Sequence, residues 1–139
     1  MLFKRKIYDK FLAWKTECAG KKALLIEGAR RIGKSTVVEE FAKNEYKSYI
    51  LIDFAKASSD VKEYFQLYLN DLDTFFMLLS VQYGVQLHER DSVIIFDEVQ
   101  LFPKAREAIK YLVADGRYDY METGSLISIK ENGKDIVIP

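Results

Sequence analysis

The segment Gly28-Ala29-Arg30-Arg31-Ile32-Gly33-Lys34-Ser35 matches G-x-x-x-x-G-K-[ST] at every fixed position, and it restricts the surrounding fold more than any other stretch of the chain. A loop that wraps phosphate oxygens needs glycine where the backbone turns tightly and where a Cβ would block the approach. It also needs successive N–H groups pointing inward, a helix N-terminus behind them, and an ammonium that reaches the β- and γ-phosphates. The setting for such a loop is strand, turn, helix. Lys22 to Glu27 supplies a short apolar run before it, and Val37, Val38 and Phe41 give Lys34 to Asn44 a helical apolar stripe after it. Expected nucleotide contacts are Gly28, Ala29, Arg30, Arg31, Ile32, Gly33, Lys34, Ser35 and Thr36.

The second informative segment is Val93-Ile94-Ile95-Phe96-Asp97-Glu98, apolar β-formers that end in two carboxylates. Adjacent carboxylates closing a buried strand repel each other unless a cation is supplied. A hydroxyl on the loop and a carboxylate on a neighbouring strand are the parts that hold Mg²⁺ beside phosphates. Lys34 is therefore expected to neutralise β/γ-phosphate charge. Ser35 and Asp97 are the expected Mg²⁺ ligands, Asp97 through water, and Glu98 is the expected base for the attacking water. The plainer alternative is a solvated lysine in a glycine turn and an unrelated polar strand end, which would need two separate explanations.

The bulk properties fit one globular domain. The chain has 139 residues, 49% apolar and 30% charged, with a single cysteine, Cys18, and a single histidine, His88. One cysteine excludes an intramolecular disulfide, and the Cys/His count excludes a zinc cluster. Lys4-Arg5-Lys6 is not followed by the apolar stretch of a signal peptide, and no apolar run is long enough to span a bilayer. A cytoplasmic location is expected. Residues 1–35 carry ten Lys/Arg and three Asp/Glu, against eleven and eighteen in residues 36–139. Part of that imbalance serves an anionic ligand and the rest solvates a helix and its turn. No basic stripe with stacking aromatics marks a nucleic-acid surface.

The pattern alternates strands with helices. Ile7, Phe11, Trp14 and Cys18 share one helical face ahead of Gly20. Ser48 to Phe54, Val93 to Asp97 and Tyr118 to Thr123 read as further strands. Asp60 with Glu63 suggests a capping-box helix start, Asn70 or Asp71 can cap another helix that stops at Gly84, and Pro103 opens a helix that ends before Gly116. Tyr64, Phe65, Tyr68, Phe75 and Phe76 are expected in the core. The order implies α/β architecture, with helices on both faces of a mostly parallel sheet.

With these segments in place, the chain resembles the AAA-type P-loop ATPases. More narrowly, it is similar to a prokaryotic family whose members join an N-terminal ATPase domain to a C-terminal domain of unassigned function. The resemblance rests on the glycine loop, on Phe96-Asp97-Glu98-Val99-Gln100 and on Glu122-Thr123-Gly124-Ser125. It implies a P-loop NTPase three-layer α/β/α sandwich with strand order 5-1-4-3-2. It implies ATP and Mg²⁺ as cofactors, a possible homo-oligomer, and a sensor residue at Thr123, with Ser125 second. It also places Asp53 as the group that pairs with the catalytic glutamate, and Ile7 and Tyr8 beside the adenine.

Family members continue beyond Pro139, so residues 1–139 are expected to be the N-terminal part of an AAA-type ATPase domain, with the fifth strand missing. Lys134 to Ile138 follows Thr123 too closely to be that strand. No later arginine is available as a finger. Arg30 and Arg31 serve either as surface charge or as contacts to a neighbouring subunit's nucleotide or a partner. The resulting function is Mg²⁺-dependent ATP binding and hydrolysis coupled to conformational change. The alternatives are a nucleotide-sensing module with slow or no turnover and, less favoured, a small-molecule kinase. Adjacent Asp-Glu on a strand not next to the loop strand favours the ATPase over the kinase.

Overall fold

The computed structural model describes residues 2–27 and 33–124. The elements are α1 (Leu2–Cys18), β1 (Leu24–Glu27), α2 (Lys34–Glu45), β2 (Ser48–Asp53), α3 (Ser59–Leu67), α4 (Leu72–Tyr83), β3 (Ser92–Asp97), α5 (Pro103–Asp115) and β4 (Asp119–Gly124). A single 3-10 turn, Val99–Leu101, lies between β3 and α5. The four strands run parallel in the order β1-β4-β3-β2. This is the expected 1-4-3-2 arrangement. Lys134 to Ile138 lies outside the described residues.

Alternation along the strands builds two cores. Leu25, Ile50, Ile52, Ile94, Phe96 and Tyr120 point to the face covered by α3, α4 and α5. Leu24, Ile26, Val93, Ile95 and Met121 point to the opposite face, covered by α1 and α2. β3 and β4 are buried along their whole length, as expected for central parallel strands covered on both sides. The helical stripe Ile7, Phe11 and Trp14 is buried, and Trp14 Nε1 donates to the Lys22 carbonyl at 2.7 Å, fixing α1 to the entry of β1. Phe65, Phe75 and Phe76 are buried and Tyr64 and Tyr68 pack at the margin, so the aromatic stripe is core.

Helix starts follow local chemistry, with one correction. Asp71 caps α4: its carboxylate accepts from Thr74 N–H at 3.3 Å and from Thr74 Oγ1 at 2.7 Å. The cap of α3 is Ser58, not Asp60. Its hydroxyl accepts from Val61 N–H at 3.2 Å, and Asp60 falls in the first turn, where a negative charge suits the helix dipole.

The end of the sheet remote from the glycine loop is held by a polar cluster. Asp119, 4% exposed, accepts a hydrogen bond from the Tyr46 hydroxyl and an ion pair from Arg90 at 2.5 Å. Arg90 Nη1 also donates to the Gly116 carbonyl at 3.2 Å. The guanidinium lies against Gly20, where φ is +85° and a Cβ would come within 2.5 Å of Nη2. Any side chain at position 20 would thus be strained in its backbone and would push the guanidinium off Asp119.

Two outcomes follow for stability. Asp119→Ala leaves the buried Tyr46 hydroxyl without its acceptor and should cost about 1–3 kcal/mol in urea unfolding. A loss below about 0.5 kcal/mol would show that the cluster contributes little. Burial, with the Asp119 charge and hydrogen bond, pushes the Tyr46 hydroxyl far above the usual tyrosine range, and burial likewise raises Tyr120. These hydroxyls keep protons that the unfolded chain releases above pH about 10. Their contribution is therefore intact below that pH and should fall by about 1.4 kcal/mol per pH unit per tyrosine above it. Unfolding titrations between pH 8 and 11 should show this decline, and Tyr46→Phe should make it shallower.

Candidate functional site

Because the sheet is parallel, every strand delivers its carboxyl end to the same rim, where α/β folds take their ligands. Register places Asp53 beside Asp97, Phe96 beside Glu122, Ile26 beside Thr123 and Glu27 beside Gly124. An aromatic cluster lies just inside this rim. Phe54 and Phe65 lie 5.4–5.8 Å, centroid to centroid, from each other and from Phe96 and Phe102, supporting the ends of β2 and β3 and the turn that follows β3. Each buried ring is worth about 1.5–3 kcal/mol.

On this base the structure brings three of the expected residues into direct contact. Ser35, half-buried in the first turn of α2, donates its hydroxyl hydrogen to Asp97 Oδ1 at 2.7 Å. Thr123, fully buried near the end of β4, donates to the same oxygen at 2.5 Å. Thr123 Oγ1 also accepts the Glu98 N–H at 3.0 Å. One buried carboxylate therefore ties the helix after the glycine loop to β3 and β4. It can do so because β4 lies between β1 and β3.

The glycine preceding the helix meets its expected requirement. Gly33 has φ +71°, a left-handed conformation that costs a residue with a Cβ about 1–2 kcal/mol, and its carbonyl accepts the Val37 N–H at 3.1 Å. Lys34 is the first residue of α2, Ser35 the second, and Thr36 is exposed on the same turn. Gly28, Ala29, Arg30, Arg31, Ile32 and Ser125 lie outside the described residues.

Glu98 occupies an unusual backbone position. With φ 56° and ψ 47° it is left-handed without being glycine, at a cost on the order of 1–3 kcal/mol. The conformation breaks β3 and starts the 3-10 turn, in which Leu101 N–H donates to the Glu98 carbonyl at 3.0 Å. The Glu98 carboxylate is half-buried, and its Oε1 accepts from Gln100 Nε2 at 2.9 Å.

Asp53 accepts the Ala55 N–H at 2.9 Å in the turn after β2 and lines an open cleft of 280 Å³ with Lys56, Ser58 and Tyr83. Burial, and then the Asp53 charge, raise the Tyr83 hydroxyl. Ile7 is core, and the Tyr8 hydroxyl donates to Glu45 at 2.7 Å, at the last residue of α2. The Tyr8 ring packs edge-on against Phe41 of α2, with centroids 5.2 Å apart. Both residues take part in the packing of α1 against α2. His88 is half-buried and its N–H donates to Ser92 Oγ at 2.9 Å, well away from the site in the loop before β3.

Two features were not singled out from the sequence. Glu122, 0% exposed, pairs with Arg106 of α5 through both carboxylate oxygens, at 3.2 and 3.0 Å. An acid inside a strand buried along its whole length was the signal, since a buried carboxylate requires a cation. Gln100 was quoted only as the end of a motif, although an amide two residues from a carboxylate is a natural donor to it.

The donor set fits Mg²⁺. The Ser35 hydroxyl hydrogen is directed to Asp97, which leaves the oxygen lone pairs for a metal, and among the described residues Asp97 Oδ2 accepts no hydrogen bond. Burial and two hydroxyl donors hold Asp97 in place.

Comparisons with known proteins bear on the family and the fold. A family model described as an AAA domain matches residues 20–135. Among curated proteins no sequence match is found. The structure of C. elegans PCH-2 is similar in fold, with a TM-score of 0.53 at 12% identity, over 99% of this chain and 41% of that chain. At that identity the likeness speaks for fold alone. The family match spans most of the chain, from the turn before β1 past the end of β4, and the chain belongs to the AAA domain family.

Proposed function

We propose that the chain binds MgATP at the rim formed by the glycine loop, Asp97 and Thr123, and hydrolyses it, with the cycle coupled to a change of conformation. The observation that carries this reading is the convergence of the Ser35 and Thr123 hydroxyls on Asp97 Oδ1, at 2.7 and 2.5 Å. Residues 62 and 26 positions away in sequence meet on one carboxylate, beside a glycine loop of the required spacing. The separation of β3 from β1 by β4 supports the ATPase reading over the kinase reading.

In this reading Lys34 and the loop N–H groups hold the phosphates. Ser35, with Asp97 through water, would hold Mg²⁺, which would supply neutralisation of phosphate charge. Glu98 accepts the proton of the attacking water. Thr123 fixes the orientation of Asp97 and the backbone of Glu98, so a displacement of β4 alters both groups together. The carboxylates of Glu27, Asp53, Asp97 and Glu98 at the strand ends favour a bound cation such as Mg²⁺ at this rim.

Calorimetry tests the binding step. Lys34→Ala should weaken ATP by about 2–4 kcal/mol, because a charge-assisted contact to a polyanion is removed. Equal affinities would rule out this site. For the chemical step, Glu98→Gln should retain MgATP while single-turnover hydrolysis slows at least about 10²-fold. Asp97→Asn should show its largest defect in the Mg²⁺ concentration required. Normal hydrolysis by Glu98→Gln with a dead Asp97→Asn would exchange the two roles.

A further inference from the structure

We propose that Gln100 is a positioning residue that aims the Glu98 carboxylate, taking the part that the resemblance assigns to Asp53. This rests on the reading of Glu98 as the base. The geometry is local and specific. The left-handed backbone at Glu98 (φ 56°) folds the chain back so that the side chains of residues 98 and 100 meet, and Gln100 Nε2 donates to Glu98 Oε1 at 2.9 Å. The turn that carries Gln100 is itself anchored. Val99 is fully buried, Leu101 N–H donates to the Glu98 carbonyl, and Phe102 N–H donates to the Val99 carbonyl, each at 3.0 Å. Glu98 is thus held at both ends, its N–H by Thr123 and its carboxylate by Gln100.

The chemistry of the two candidates differs. An ionised carboxylate only accepts hydrogen bonds, so Asp53 cannot hold a second ionised carboxylate without an extra proton. An amide donates through nitrogen while leaving Glu98 negatively charged, as a base must be. Asp53 has a separate task, since its carboxylate accepts the Ala55 N–H at 2.9 Å and closes the turn after β2. Gln100 stands one step from Thr123 through Glu98, so movement of β4 reaches the base through its backbone while the amide keeps its carboxylate aimed.

Two variants of the full chain separate a donor from a filler. Gln100→Glu keeps the shape and removes the donor, and Gln100→Leu removes both polar atoms. Each should lower single-turnover hydrolysis by about 10- to 100-fold, the scale of a misplaced reacting group, with MgATP affinity within about twofold of the wild type. Adding Gln100→Leu to Glu98→Gln should produce no further loss, because both changes act through one carboxylate. Wild-type rates in both single variants, with Glu98→Gln still slow, would overturn the role of Gln100 and leave the proposed function standing. Failure of MgATP to bind the wild type, or normal turnover by Glu98→Gln, would instead remove the proposed function. A readout independent of turnover is the Gln100 side-chain amide in a nitrogen-15 NMR spectrum, assigned by its loss in Gln100→Leu. It should shift in Glu98→Gln, and an unmoved signal would refute the contact.

Discussion

The carboxylate of Asp97 is a buried charge at the end of an apolar strand, only 7% exposed, and its solvation organises the rim. Water is largely excluded from it, so polar groups of the chain must do what water would do. Two hydroxyls meet that need, one from the helix after the glycine loop and one from β4. Satisfying them requires β4 to run between β1 and β3, and α2 to start directly above that junction. The order of the sheet and the solvation of this single group are therefore the same constraint seen at two scales.

The rim and the opposite end of the sheet are built differently. At the far end Asp119 is saturated by Tyr46 and Arg90, both contributed by the protein, and nothing in its chemistry calls for a ligand. At the rim, Arg106 pairs with Glu122, while the Asp97 carboxylate is met by two hydroxyls. A polar cluster that closes on itself stabilises a fold. One that leaves an acidic surface beside a phosphate-type loop invites a metal and a polyanion. This contrast supports the proposed function at the rim and a structural role for the Asp119 cluster.

Strain is placed where it is of use. Glu98 is left-handed without being glycine, and its cost is met by the buried Val99, the turn hydrogen bonds and the aromatic cluster of Phe54, Phe96 and Phe102 behind it. A residue held against its preferred backbone geometry has its side chain pre-aimed, as the proposed role of Glu98 requires. The hydrophobic packing of the second face thus connects to the site through the position of one carboxylate.

Much was legible in the sequence because it is local. Periodicity located the strands and helices, and the run Val93 to Asp97 identified a strand buried on both faces. These depend on neighbours a few residues apart, and the covalent chain preserves them. The cap of α3 was misplaced because Ser58 and Asp60 both offer suitable oxygens, and only the entry angle of the chain chooses between them. Which distant side chains meet was decided by the tertiary structure alone. Thr123 reaches Asp97 because β4 lies beside β3, and Tyr46 reaches Asp119 because α2 ends over the opening of β4. Gln100 reaches Glu98 because a left-handed residue reverses the chain. Sequence fixes chemical capacity at each position. Proximity depends on how two apolar cores pack against one twisted sheet, and that packing is a property of the whole chain.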